Sequence, residues 1–250
     1  MKGTYRIAEK NIEIISLYEG VHKLCIGYES EEAPDFTVES AQSDIDFERE
    51  RSAAEDAAAG RKTVHYSDAY LETLAVYRKI ADKMLFYGTM LFHGSAIAVD
   101  GKAYLFTAKS GTGKSTHTRL WRELFGERAV MINDDKPLIR LTKEGAFVYG
   151  TPWNGKHRLG TNASAPLAAV CILERDTVNH IEKINAKSVY PMVMQQAHRP
   201  ASQGGMIMLF TLADVLVDTV PFYRLGCNME RDAASVAYEG MKNNSEEIEK

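Results

Sequence analysis

The 250-residue chain is poor in cysteine, has no long apolar run and carries no basic cluster. Its three cysteines, Cys25, Cys171 and Cys227, lie far apart without a Cys-x-x-Cys pair, and an odd number argues against a disulfide framework. Cys171 falls in the apolar stretch 168–173, which predicts a buried thiol and is consistent with a reducing compartment. No stretch reaches the roughly 18 consecutive apolar residues of a membrane helix. The longest candidate, 204–217, is interrupted by Asp214. The first eight residues lack the apolar core of a signal segment. These absences predict a cytoplasmic chain with no membrane partner. The net charge of −4, with scattered basic residues, argues against nucleic acid as the main partner. Internal repeats and low-complexity tracts are absent as well.

What remains is ordinary globular material, 45% hydrophobic and 26% charged, enough for one large α/β domain with or without a small appendage. Short apolar runs at Ile12, Ile14 and Leu17, then at Val21, Leu24 and Ile26, predict two strands joined by a turn at Gly20, with a third short strand at 36–38. The charged, alanine-rich segment 44–62 fits either a solvated helix or a connection. Leu71, Leu74, Ala75, Tyr77, Ala81, Met84 and Leu85 recur at helical spacing behind Asp68, a plausible cap. Two β-prone runs, 95–99 and 102–107, flank Asp100-Gly101 and predict a hairpin. A helix is expected over 116–125 and a short buried strand over 129–132. Further strands are expected at 147–149, 168–173 and 220–226, and helices at 190–198 and 232–241, before a charged tail. The division expected is a small β-rich region at 1–62, a catalytic domain at 63–241 and a tail at 242–250.

The second hairpin strand runs straight into Ala108-Lys109-Ser110-Gly111-Thr112-Gly113-Lys114-Ser115. This matches the phosphate-binding pattern G-x-x-x-x-G-K-[ST] at every position but the first, where alanine stands. Glycines such as Gly111 and Gly113 let backbone N–H groups close around phosphate oxygens, and the helix that follows adds its unpaired N–H groups and positive dipole end. Ser110, Thr112 and Thr116 complete the cradle. Lys114 sets a cation at the β- and γ-phosphates of ATP, and the Ser115 hydroxyl can reach Mg²⁺ or Mn²⁺. Ala108 is tolerated at the strand exit if its φ stays negative.

Asp134 and Asp135 follow the strand at 129–132. Paired acids at a strand end allow one to hold a metal while the other takes a proton from an attacking hydroxyl. Asn-Asp-Asp-Lys-Pro is also good turn chemistry. His93 starts the hairpin whose partner strand feeds the loop, so it falls near the phosphate end. The polar loop 150–158 offers two cations, Lys156 and Arg158, able to neutralise charge on a transferring phosphoryl group, with Trp153 among them.

Taken together, His93-Gly94-Ser95, Ser110-Gly111-Thr112-Gly113-Lys114-Ser115 and Asp134-Asp135 resemble the HPr kinase/phosphorylase and phosphoenolpyruvate carboxykinase superfamily. The resemblance covers about residues 92–138 and, more loosely, 151–161. It implies an α/β fold with a mixed β-sheet flanked by helices, a P-loop holding MgATP, and a small N-terminal β region outside the likeness. It implies Lys114 on phosphate, Ser115 and Asp135 on the metal, Asp134 as the base assisted by His93, and, through the kinase relatives, a homo-oligomer. The expected activity is transfer of the γ-phosphate of ATP to a hydroxyl of a small molecule or of a peptide or protein serine. The alternatives are a regulatory module that binds ATP without transfer, or a carboxykinase, for which the chain is short.

Overall fold

The computed structural model describes residues 1–58, 60–109 and 111–242, without the side chains of Ala186 and Lys187. The expected loop residue Ser110 and residues 243–250 of the expected tail lie outside the described residues. The chain forms two compact units, Met1–Lys83 and Met84–Lys250.

In the N-terminal unit, β1 (Lys2–Ile7) and β2 (Lys10–Ile15) pair antiparallel, and β3 (Phe36–Glu39) lies parallel to β2. The connection between β1 and β2 is tight: Ala8 and Glu9 both take positive φ, the geometry that suits a two-residue hairpin. The strand expected around Val21–Ile26 is instead a short helix, α1 (Gly20–Leu24). The reason is visible in spacing: Val21 and Cys25 are buried four residues apart, Cys25 N donates to Val21 O, and Ile26 is exposed. The segment left open between helix and connection is helix α2 (Gln42–Ala58), and the expected amphipathic helix is α3 (Asp68–Met84). Glu72 on α3 is fully buried, and its carboxylate accepts from Leu17 N, Tyr18 N and the Ser40 hydroxyl. Three donors offset the cost of burying that charge and fix α3 to the loops that leave β2 and β3.

The second unit is a mixed α/β fold with a curled sheet. Its strands are β4 (Thr89–Leu91), β5 (Ser95–Val99), β6 (Lys102–Thr107), β7 (Ala129–Asn133), β8 (Leu138–Thr142), β9 (Gly145–Tyr149), β10 (Ser164–Arg175), β11 (His180–Ile184) and β12 (Phe222–Cys227). They run in the order β4-β8-β9-β10-β6-β5-β7, with β12 attached along β10 and β11 along β12. The 12-residue β10 is the hub: its start pairs antiparallel with β9, its later part pairs parallel with β12, and its other edge pairs parallel with β6. The predicted hairpin forms as β5 and β6, turning at Asp100 and Gly101, both at positive φ.

Helices cover both faces. β5 alternates Ala96 and Ala98 toward one core with Ile97 and Val99 toward the other. The first core is closed by α5 (Ala186–Gln196) and α6 (Gln203–Thr219), through residues such as Val193, Leu209 and Leu212. The second is closed by α4 (Lys114–Phe125) and α7 (Asp232–Lys242), where Trp121 packs against Tyr104, Phe106 and Tyr238. α5 begins before the Tyr190 expected from the sequence, with Pro191 inside it. Val189 and Val193, four apart and buried, hold it on the sheet on either side of the proline. The apolar run 204–217 lies within α6, and no helix among the described residues is long and apolar enough to cross a membrane. Cys171 is fully buried in β10, where burial pushes its thiol pKa up, and all three cysteines are free.

Candidate functional site

Sheet polarity brings the sequence motifs to one edge. β6 and β7 both run antiparallel to β5, which lies between them, and β10 runs parallel to β6. The ends of β6, β7 and β10 and the start of β5 therefore share one end of the sheet. The glycine loop leaves β6 there, Asp134 and Asp135 leave β7, Arg175 ends β10, and His93 precedes β5.

The loop turns sharply into α4. Gly111 and Gly113 take φ of 78° and 129°, and Gly113 is the N-cap of the helix. A side chain at Gly113 would be strained by that backbone alone. Ala108 keeps a negative φ, so its methyl group is compatible with the strand exit. The first turn of α4 holds Lys114, Ser115 and Thr116 and no acidic residue, leaving its positive dipole end uncompensated within the helix. Lys114 is half-buried, and its ammonium lies 3.4 Å from Ala108 O. Burial lowers its pKa and the nearby Asp135 opposes that. Arg175 donates to Gly111 O at 2.6 Å, tying the loop to the end of β10.

The two aspartates are held differently. Asn133 is fully buried and acts as the joint: its Oδ1 accepts from Asp135 N and Lys136 N, and its Nδ2 donates to the Thr151 hydroxyl and to Trp153 O. The Asp134 carboxylate, nearly buried, accepts from Gly155 N at 2.6 Å, and Asp134 O accepts from the Ser95 hydroxyl. Asp134 thus fastens the loop that follows β9. Asp135 turns the other way. Its Oδ1 faces His93 Nε2 at 3.4 Å and its Oδ2 meets Lys136 Nζ at 3.2 Å. Burial raises its pKa, but His93 and Lys136 prevail and hold the carboxyl down at about 2. Asp135 is therefore ionised at any physiological pH.

His93-Gly94-Ser95 wraps this pair, with Gly94 N donating to Asp135 O and Thr107 at the end of β6 donating its hydroxyl proton to His93 O. A methyl group on Gly94 would stand 2.9 Å from Phe106 O, so close packing of backbone on backbone requires glycine here. On its far side, His93 Nδ1 lies 3.0 Å from Gln196 Oε1.

The structure thus gathers His93, Lys114 and Asp135, with Ser115 and Thr116 on the adjoining helix turn. It anchors the 150–158 loop through Gly155, but the Lys156 and Arg158 side chains stay exposed, while Trp153 is buried. Three contributors went unread in the sequence. Asn133 was legible only as a turn former, Arg175 had no motif around it, and Gln196 reaches His93 from 103 positions away. Beside the loop, Lys109, Thr112, Ile172, Arg175, Met192 and Gln195 help to line a cleft of about 340 Å³.

No known family model matches the chain, and no curated protein matches it. Among solved structures it is similar to the Hpr(Ser) kinase/phosphatase from Coxiella burnetii, with a TM-score of 0.37 and 11% identity, over 64% of this chain and 92% of that one.

Proposed function

We propose that the chain is an ATP-dependent phosphotransferase acting from the loop at 108–115 on a hydroxyl acceptor. One observation carries the reading: a glycine loop that caps a helix with Lys114 stands at the same sheet end as an ionised Asp135 paired with His93. Loop amides, the helix end and Lys114 bind and neutralise phosphate oxygens. The acceptor oxygen attacks the γ-phosphorus, the bond to the bridging oxygen breaks, ADP leaves, and the hydroxyl proton passes to the Asp134 carboxylate. His93 keeps Asp135 ionised across their contact. The base in this reading is Asp134, whose Oδ1 accepts from Gly155 N and whose carboxylate keeps further lone pairs for a proton.

The donor set fits a divalent cation. Asp135 is an anionic oxygen ligand, Ser115 is exposed on the first turn of α4, and Mg²⁺ in phosphate sites takes few protein ligands. Asp135 and Ser115 would hold it, and when bound it would neutralise charge on the β- and γ-phosphates.

The test is ³¹P NMR of the protein with MgATP and fractionated cell extract. A new phosphomonoester signal is expected with the wild type, and its loss with Asp134→Asn while ATP titration still shows binding. A signal that survives in Asp134→Asn would remove the base from that residue. Unchanged ATP in every fraction, with binding retained, would make the chain a nucleotide-binding regulatory module.

A further inference from the structure

We propose that Asn133 is a positioning residue for the two aspartates: its side-chain amide turns the chain so that successive carboxylates face different partners, and it fixes the loop that carries Gly155 to the same point. β7 ends at Asn133, and the next N–H groups leave the sheet ladder while still part-buried. Such groups cost free energy unless they are bonded. Asn133 Oδ1 accepts from Asp135 N at 2.9 Å and from Lys136 N at 2.7 Å, a local turn that asparagine favours.

The other end of the amide faces away from that turn. Nδ2 donates to the Thr151 hydroxyl at 3.1 Å and to Trp153 O at 3.2 Å. Backbone N–H groups on one side and a backbone carbonyl on the other fix which end of the amide is which. The side chain is fully buried, so these bonds form away from competing water. The consequence reaches both acids. Asp134 is held at Gly155 N, and Gly155 follows the segment that Nδ2 grips. Asp135 lies within the turn that Oδ1 grips, and its carbonyl accepts from Gly94 N. One side chain therefore sets where the base and the metal-side carboxylate stand relative to each other. Both functions of the amide are needed. Serine keeps an acceptor for the turn but loses the amide donor, and alanine loses both.

The effect on turnover rests on the phosphotransfer reading; the hold on the turn and the loop does not. Two measurements separate them. The first is a ¹H–¹⁵N amide correlation. Asn133→Ala should move the signals of Asp135, Lys136 and Gly155, whereas Asn133→Ser should return those of Asp135 and Lys136 toward wild type and leave Gly155 shifted. The second is product formation from MgATP in the active extract fraction, normalised to folded protein. Asn133→Ala should lower kcat about 10- to 100-fold with the KM for ATP little changed, because the loop at 108–115 is untouched, and Asn133→Ser should recover part of the loss. A purely structural role would leave the kcat of the folded fraction unchanged, and that result overturns the proposal. Unmoved Asp135, Lys136 and Gly155 signals in folded Asn133→Ala overturn it as well. If Asn133→Ala does not fold, Asn133→Ser decides: an unmoved Gly155 signal or an unchanged kcat refutes the role. A wild type that forms no product while the amide signals respond as expected overturns the phosphotransfer reading and leaves the positioning of the acids standing.

Discussion

Acidification should weaken the helix that carries Lys114 through His117, one turn further along α4. His117 is 2% exposed, its backbone N–H donates to Gly113 O, and its ring meets Phe106 edge-on at 4.6 Å between centroids. Trp121 Nε1 donates to His117 Nε2 at 3.0 Å, so that nitrogen holds a lone pair, while Nδ1 has no partner among the described residues. Burial lowers the pKa from 6.5 to about 4. The sign follows from proton counting. Between these two values the unfolded chain binds a proton that the folded chain refuses, so stability is full above about 6.5 and falls as pH drops toward 4. Between pH 7 and 4.5 the loss is about 2 kcal/mol, which corresponds to roughly 4–8 °C in Tm for a unit of this size. The perturbation is His117→Gln, whose amide oxygen still accepts from Trp121 but does not titrate. The assay is thermal or urea unfolding of both proteins from pH 7 to 4.5. His22 in the N-terminal unit is also lowered by burial, so the difference between the two proteins isolates His117. The variant should be less stable at pH 7 and lose less on acidification. Parallel declines would refute the reasoning.

Two further outcomes follow from the same contacts. Asp134→Ala removes the acceptor of Gly155 N. It should destabilise the protein by about 1–3 kcal/mol and speed amide exchange at Gly155, as seen by hydrogen exchange. Gly94→Ala places a methyl group against Phe106 O and Leu105. It should cost about 1–3 kcal/mol in urea unfolding, with chemical-shift changes centred on the start of β5 and the end of β6; an unshifted midpoint would show that the two strands part freely.

The legible parts of this protein are those carried by local pattern. Asp100-Gly101 between two β-prone runs announces the hairpin, because few residues accept positive φ there. The loop at 108–115 is readable because its glycines, lysine and serine act through spacing along a single segment. Val21–Ile26 misleads for the same reason: one turn of helix and a short strand bury similar apolar residues, and only the fully buried Val21 and Cys25 decide between them. The adjacent aspartates show the limit most clearly. Chain order gives them equal claims, yet backbone direction at the end of β7 sends Asp134 toward Gly155 and Asp135 toward His93. Gln196 and Arg175 reach the site only because α5 and β10 pack beside the loop. By itself, then, the sequence determined a phosphate-type loop between strand and helix, a pair of acids at a strand end and a histidine near them, since each depends on residues a few positions apart. Only the tertiary structure decided which acid faces the histidine and what holds its other nitrogen, because those contacts depend on strand polarity and on helices folded back from distant parts of the chain.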